Sequence, residues 1–499
     1  MSKLRSFVLK HEDRLHRALE ILPGFCSWNL ILFPYWGILV IPEVVAYFIL
    51  GFNVYWFYQS FMIAIGSFIS HIRVQAAKQY DWLSDLKTFP DWNRVHHVII
   101  IPTFKEPLHI LDKTIKSISR QTMPKNQITI VLATEKKEER EEREKKVKIL
   151  KKKYGKAFAN FFITVHELTG NEVAGKSSNE RHAAIWAKKR LIDKRKMNID
   201  YMTITSCDAD TIFPKKYFAC LAFKFLDDPE RYNRFWQAPI MYYQNIWELP
   251  AMTRIQNTLG SIYQFSQVSR KDRLINISTY SLSFKLIDEV DYWDADKIPE
   301  DWGIFFKAYY KRRGKLEVEP IYMPLIVSAP QSTSAWKTFK AQYEQYKRWA
   351  WGASDDPWII KNYFLVPGVP FWDKTMRLFH VIWSHFMWPV NWFVITVGLT
   401  LPSLLNPRFA RTALGYTVPR LSSFVLTVAL VFLVVMLVFD NIYKPQRPKD
   451  FPLWRAILMP LEFVLMPVAG FFFTALPGID AHTRLMLGKY IEYRVAEKL

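Results

Sequence analysis

This sequence predicts an α/β domain built on a mostly parallel sheet with helices on both faces, joined to an α-helical transmembrane region. Three observations carry that reading. No Lys or Arg occurs from Ala18 to Ile72, and apolar stretches return at 375–405 and 421–440; each is long enough to cross a bilayer at about 20 residues per crossing. Between these regions, short apolar runs at 98–101, 128–133 and 201–206 alternate with helical stretches, as parallel strands joined by crossovers do. Polar residues, Thr103, Glu135 and Asp208, directly follow those runs. Ligands of such sheets bind beyond the carboxyl ends of the strands.

In chain order, residues 1–23 form a basic segment with Lys3, Arg5, Lys10, Arg14 and Arg17. No small-residue cleavage site follows a short apolar core, so no removable signal peptide is expected. Pro42-Glu43 breaks the stretch after it, which predicts a transmembrane hairpin over 24–72, with helices at about 24–42 and 44–70 and both outer ends on the basic, cytoplasmic side. One span plus one interfacial helix is the alternative, because the first segment is short. The α/β domain is expected at 73–365. Within it, residues 135–156 are almost wholly charged, and a solvated helix laced by opposite charges explains them without a ligand.

An interface helix and two transmembrane helices are expected over 366–443. The polar, basic stretch 440–455 reads as a cytoplasmic return, although Arg408, Arg411 and Arg420 in the preceding outer loop run against it. In the last segment, 444–499, Pro460, Glu462 and Pro467 interrupt the apolar stretch 456–477. It is expected to lie along the membrane or dip into it, leaving a cytoplasmic tail. That gives four crossings. With so few crossings, either a complete channel is built by several copies of the chain, a homo-oligomer, or there is none.

A formal charge of +21 on 499 residues raises a nucleic-acid function. No nucleic-acid module accompanies it, and many of the basic residues flank membrane segments, where they suit the cytoplasmic side and anionic lipid head groups. The lipid bilayer is the expected partner and nucleic acid is not. Cys26, Cys207 and Cys220 have neither framework spacing nor metal-ligand companions and read as reduced thiols.

Three constellations carry chemistry. Asp208 and Asp210 follow an apolar strand on alternate positions, and two hard oxygen donors suit Mg2+ or Mn2+ bridging a diphosphate; alone, such a pair is more often a turn or a cap. About ninety residues later, Glu300-Asp301 precedes a helix-like run, where acidic pairs also serve the helix dipole. Gln345, Arg348 and Trp349 lie at i, i+3 and i+4 of a helical stretch and share a face. A guanidinium forks onto phosphate and an indole stacks under a sugar ring. The plain alternative is a surface helix with one half-buried Trp.

The order of these motifs ahead of a membrane region resembles the processive family 2 glycosyltransferases, the group of cellulose, chitin and hyaluronan synthases, over nearly the whole chain. The resemblance implies a GT-A-like cytoplasmic domain, a UDP-sugar donor, and Asp208 and Asp210 as metal ligands. It implies Asp301 as the base that deprotonates the acceptor hydroxyl, although Pro299 replaces the Thr of the family's Thr-Glu-Asp motif. Gln345, Arg348, Trp349 and Glu300 would contact acceptor and diphosphate. Thr103 and Glu106, in a loop similar to Pro-Thr-Tyr-Asn-Glu, and Lys176 and Asn179 would face the donor. Glu135 stands where an aspartate usually reads uracil. Tyr493, Arg494, Val495 and Lys498 resemble the Phe-x-Val-Thr-x-Lys gating loop, with Ala496 in place of the Thr; a basic membrane-surface tail is the equal alternative.

The expected function is transfer of a sugar from a UDP-sugar to a growing glycan or a lipid-linked acceptor, processively and coupled to export. The alternatives are transfer of one sugar to a polyprenyl phosphate, which the Gln-x-x-Arg-Trp motif disfavours, and an inactive membrane scaffold of the same fold.

Overall fold

The structure is a computed structural model that describes residues 3–397 and 404–492. Helices α1 (Glu12–Val40) and α2 (Pro42–Gln79) meet at Ile41, where the break at Pro42 was expected. Both overrun their expected limits, because the charges that bound a membrane span do not stop a helix. The last turns of α2 reach the α/β domain, where the Lys216 ammonium donates to the carbonyls of Lys78 and Tyr80 at 3.0 and 2.7 Å.

The domain then alternates as expected: β1 (His96–Thr103), α3 (Leu108–Ser119), β2 (Ile128–Glu135), α4 (Arg140–Tyr154), β3 (Asn160–His166), α5 (Lys176–Lys188) and β4 (Met202–Ser206). It continues with α6 (Tyr217–Asp227), β5 (Arg234–Gln237), α7 (Ala251–Gln267), β6 (Tyr280–Ser283), α8 (Asp301–Lys311), β7 (Glu317–Pro320) and α9 (Ala335–Ala350). The seven strands lie in the order β3-β2-β1-β4-β6-β5-β7, all parallel to their neighbours except β6. This is the mostly parallel, GT-A-like sheet the sequence implies.

Alternation along the strands builds the two layers. Ile99, Ile101, Ile130 and Leu132 join α3 and α6 in a core on one face, while Val98, Ile100, Val131 and Ala133 join α5 and α8 in a core on the other. Strand β1 starts two residues before the apolar run. His96 and His97 are buried there because their rings hydrogen-bond the hydroxyls of Thr129 and Thr203 at 2.8 and 2.6 Å. Burial drives their pKa values down to about 4 and about 3, which keeps both rings neutral. Helix α4 is the charged helix expected, with an exposed Arg140–Glu144 pair. Its buried Arg143 donates to the carbonyls of Glu135 and Glu138, each at 3.1 Å.

The membrane region adds α10 (Phe371–Val397), α11 (Ala413–Tyr443) and a segment with three short helices, α12 (Leu453–Glu462), α13 (Met466–Gly470) and α14 (Leu476–Met486). Among the described residues four helical segments are long and apolar enough to cross a membrane: α1, α2, α11 and Trp454–Met486. They support an integral membrane protein, and α1, α2 and α11 are three of the four expected spans. Helix α10 is not among them: after Arg377 its apolar stretch is diluted by His380, His385, Pro389 and Asn391, and the end of the expected span, 398–403, lies outside the described residues. The stretch 456–477, expected to lie along the membrane, belongs to a segment of spanning length. Short turns at Phe463–Leu465 and Phe471–Ala475 carry the chain past its prolines, and Glu462 is paired with Arg254 of α7 at 2.5 Å.

Helix α11 packs along α2 through Phe432 against Phe57 and Phe61. Helix α1 lies against α14 so closely that a Cβ at Gly24 would come within 2.7 Å of the His482 carbonyl oxygen. Helix α7 lies against α2 and α11, beneath the membrane helices and beside the sheet.

Candidate active site

One cavity of about 1510 Å³ opens at the carboxyl ends of β1, β2 and β4. Thr103, Glu106, Glu135, Lys176, Asn179, Asp208, Asp210, Glu300, Asp301, Gln345, Arg348 and Trp349 all line it. Twelve residues spread over some 250 positions of sequence thus meet at one site. The remaining expected site residues, Tyr493, Arg494, Val495 and Lys498, lie outside the described residues.

The site is organised around an ammonium. Lys176, at the start of α5, lies 2.8 Å from the Asp208 carboxylate and 2.9 Å from that of Glu300, and donates to the Ser278 carbonyl at 2.5 Å. Burial would lower its pKa, but Asp208, then Glu300 and Glu180, raise it well above the ordinary lysine value, so it stays charged. Glu180 lies one turn further along α5, fully buried, with one oxygen accepting from the Ser206 hydroxyl at 2.7 Å. Burial lifts its pKa to about 8, against the pull of Lys176.

Ser278 ties the network together. Its hydroxyl donates to Asp208, its N–H donates to the Asp301 carboxylate at 2.8 Å, and its carbonyl accepts from Lys176. It does so in the left-handed region, at φ 57°, where a serine is strained. Such strain persists where surrounding contacts over-determine it, commonly at functional sites.

The two aspartates of the metal pair differ. Asp208 keeps a partly exposed carboxylate beside Lys176, whereas Asp210 is buried and accepts from the Ser328 N–H at 2.8 Å. Among the described residues no group of three His, Cys, Asp or Glu side chains could hold a metal. Two carboxylates from one turn would offer hard oxygen donors to a divalent ion.

Asp301 opens α8. Its pKa is pushed well above the ordinary aspartate value by burial and then by the neighbouring Glu300 carboxylate, against the pull of Lys176. One oxygen, Oδ1, is buried without a hydrogen-bond partner. A carboxyl group so placed is basic enough to take a proton.

On the nucleotide side, Glu106 is used within its own loop, accepting from the Thr103 hydroxyl at 2.7 Å and from the Phe104 N–H. Asn179 donates to the Ala133 carbonyl at 2.9 Å and pins α5 to β2. Glu135, the last residue of β2, pairs across the sheet with His166, whose Nδ1 is 3.1 Å away, while Nε2 meets Glu172 at 3.2 Å. Burial would lower the His166 pKa, but Glu135 and then Glu172 outweigh it and raise it.

Helix α9 presents Gln345, Arg348 and Trp349 to the cavity as the spacing predicts. The Trp349 ring rests against Tyr346 and Tyr242, at centroid distances of 4.7 and 5.8 Å. Trp351 does not join them; it packs against Ala481 and Leu485.

A sequence model of the family described as Glycosyl transferase family group 2 matches residues 203–439, from β4 into the last turns of α11. That match likens just under half of the chain to the family 2 glycosyltransferases, and the fold and the site agree with it. Among solved structures, the mannosyltransferase PcManGT from Pyrobaculum calidifontis, in complex with GDP-Man and Mn2+, is 10% identical, with 89% of this chain and 100% of that chain covered and a TM-score of 0.41. S. aureus TarS 1–349 in complex with UDP-GlcNAc is 13% identical, with 80% and 93% covered and a TM-score of 0.38. No curated protein matches the chain.

Proposed function

We propose that the protein is an inverting glycosyltransferase that moves a sugar from a UDP-sugar onto a growing glycan at the cytoplasmic face of the membrane, processively and toward export. The observation that supports this most is continuity. The cavity that gathers Asp208, Asp301 and Trp349 runs on between the membrane helices as far as Trp392 of α10 and Leu426 of α11. A product made at Asp301 has a path of its own into the bilayer region. Basic residues beside the ends of α2 and α11, such as Arg73, Lys78 and Lys444, favour a cytoplasmic domain with both termini on that side.

In this reading the diphosphate lies by Lys176, Asp208, Asp210 and Arg348, and the base lies by Thr103 and Glu135, whose carboxylate accepts from a uracil N–H. Glu106 and Asn179 hold the donor loop and the end of β2. Asp301 takes the acceptor hydroxyl proton as the acceptor oxygen attacks the anomeric carbon. The bond from that carbon to the phosphate oxygen breaks, UDP leaves with the electron pair, and the configuration inverts to a β-linkage. Glu300, held by Lys176, and Gln345 orient the acceptor sugar, and Trp349 stacks beneath it. When bound at Asp208 and Asp210, Mg2+ or Mn2+ supplies positive charge to the leaving diphosphate.

The test is to incubate the purified chain in lipid with a panel of UDP-sugars and Mg2+ or Mn2+ and to size the products. A ladder of sugars is expected. A product of one sugar on a polyprenyl phosphate would replace this reading, and no donor turnover under any condition would leave an inert scaffold.

A further inference from the structure

The membrane half of the cavity has two unlike walls. One comes from α2 and α10 and offers hydrogen-bonding and aromatic groups, among them Gln59, Trp388 and Asn391. The other is α11, which presents Leu426, Leu430, Leu433 and Met436. Their spacing makes one aliphatic stripe about 15 Å long. No Asp, Glu, Lys or Arg of the described membrane helices lines this half; Arg270 and Arg273, from the loop after α7, reach it on the side of Tyr55 and His380, away from the α11 stripe. It also opens sideways: Leu430 lines the cavity yet is 51% exposed, and Trp383 on the opposite wall is 36% exposed. In a membrane those side chains face lipid.

A bare polysaccharide does not match such a wall. A sugar carries hydroxyls around its whole rim, and those turned toward α11 would lose water without gaining a partner. A hydrocarbon chain matches it, and the sideways opening lets such a chain enter from the bilayer.

We propose that the acceptor is a membrane lipid carrying a sugar head: the head lies between Trp349 and Asp301, and the hydrocarbon chain lies along the leucine stripe of α11. This rests on the transferase reading and adds the acceptor class to it. The growing glycan then stays tethered to lipid at its far end. The polar wall of α10 is left to the sugars nearest the head, and the aliphatic wall to the anchor.

The full chain in lipid nanodiscs, given the panel of UDP-sugars, is offered ethyl and dodecyl glycosides of glucose, mannose and N-acetylglucosamine below their micelle-forming concentrations. Each buried methylene is worth roughly fourfold in affinity, so the dodecyl form should be used at least tenfold better than the ethyl form by kcat/KM. Replacing Leu430→Gln with Leu433→Gln should shrink that ratio several-fold, while Leu430→Met with Leu433→Met keeps it, separating a misfolded wall from a polar one. Equal use of the two glycosides, or a ratio unmoved by the glutamines, overturns the proposal. Donor hydrolysis without transfer to either glycoside also overturns it but leaves the transferase reading standing. An untouched donor removes both.

Discussion

The two halves of the cavity solve opposite problems. In the half under the sheet, charge is concentrated and nearly every charged group is answered: Lys176 by Asp208 and Glu300, Asp301 and Asp208 by Ser278, Asp210 by the Ser328 N–H. In the half between the membrane helices the described helices put no full charge on the wall, and the only guanidiniums among the described lining there, Arg270 and Arg273, come from the loop after α7. Buried charge is costly unless it is paired and hydrogen-bonded, so a fold keeps it where it is needed. On the function proposed above, bond-making belongs to the first half, and the second holds or guides a long molecule. A variant in the first half should therefore change rate or donor binding, and one in the second should leave donor binding alone and act only through the acceptor.

The largest effect is expected at Asp301. Asp301→Asn keeps the shape of the side chain but cannot take a proton, so transfer should fall by about 10²–10⁴, with UDP binding by calorimetry close to wild type. Because burial and Glu300 hold the wild-type Asp301 pKa high, its base form grows as pH rises, and kcat should climb through that raised pKa. Full activity in Asp301→Asn would end the assignment of the base. Asp208→Ala should come next. Altering a group that merely supports a metal ligand costs about 10–100-fold in metal affinity, and losing a ligand should cost no less, so Mn2+-dependent UDP binding should weaken at least tenfold.

On the other side of the comparison stands Gly470, where α13 meets α10. A Cβ there would fall 2.1 Å from the Trp392 ring, which is stiff and cannot bend aside. Gly470→Ala should cost about 1–3 kcal/mol as overpacking, seen as a lower melting temperature in detergent, while UDP affinity stays at the wild-type value. A matching loss of UDP affinity would show that the two halves are not separable.

Much of the domain was legible because its apolar runs are short, buried and in the right order: β1, β2 and β4 follow from residues 98–101, 128–133 and 201–206. The site was legible where chemistry depends on residue type, as with Asp208, Asp301 and Arg348. It was not legible where the backbone decides. Ser278 joins Asp208, Asp301 and Lys176 through a left-handed conformation that no residue type announces. Glu180 gave no signal because it lies in a polar-looking stretch of α5 and is buried only by the fold. The membrane segments at 375–405 and 456–477 were harder to read, and for one reason. Prolines and Glu462 argued against a span at 456–477, but Arg254, distant in sequence, answers the charge. In α10 the scattered polar residues that lower its hydropathy include the cavity wall itself, so local composition obscured their role.

The smallest expected effect belongs to His166, and it tests how far the charged half extends. The ring is sandwiched between Glu135 on the cavity wall and Glu172, with the His182 ring tilted against it at a centroid distance of 5.1 Å. Its folded pKa is raised above the ordinary histidine value by Glu135 and Glu172, against the effect of burial. The sign follows: folding favours the protonated ring, so this contribution to stability is complete below about pH 6.5 and is lost as pH rises through the raised folded pKa. Above that pKa the neutral ring has one N–H left and can answer only one of its two carboxylates. UDP affinity should then fall a few-fold across the same interval, since Glu135 loses a group that fixes its direction. His166→Gln donates from a single nitrogen, which cannot sit at both ring positions, and it does not titrate, so it should bind UDP weakly and show no such pH dependence. A wild-type pH profile in His166→Gln would place the edge of the working charge network at Lys176 and leave Glu135 outside it.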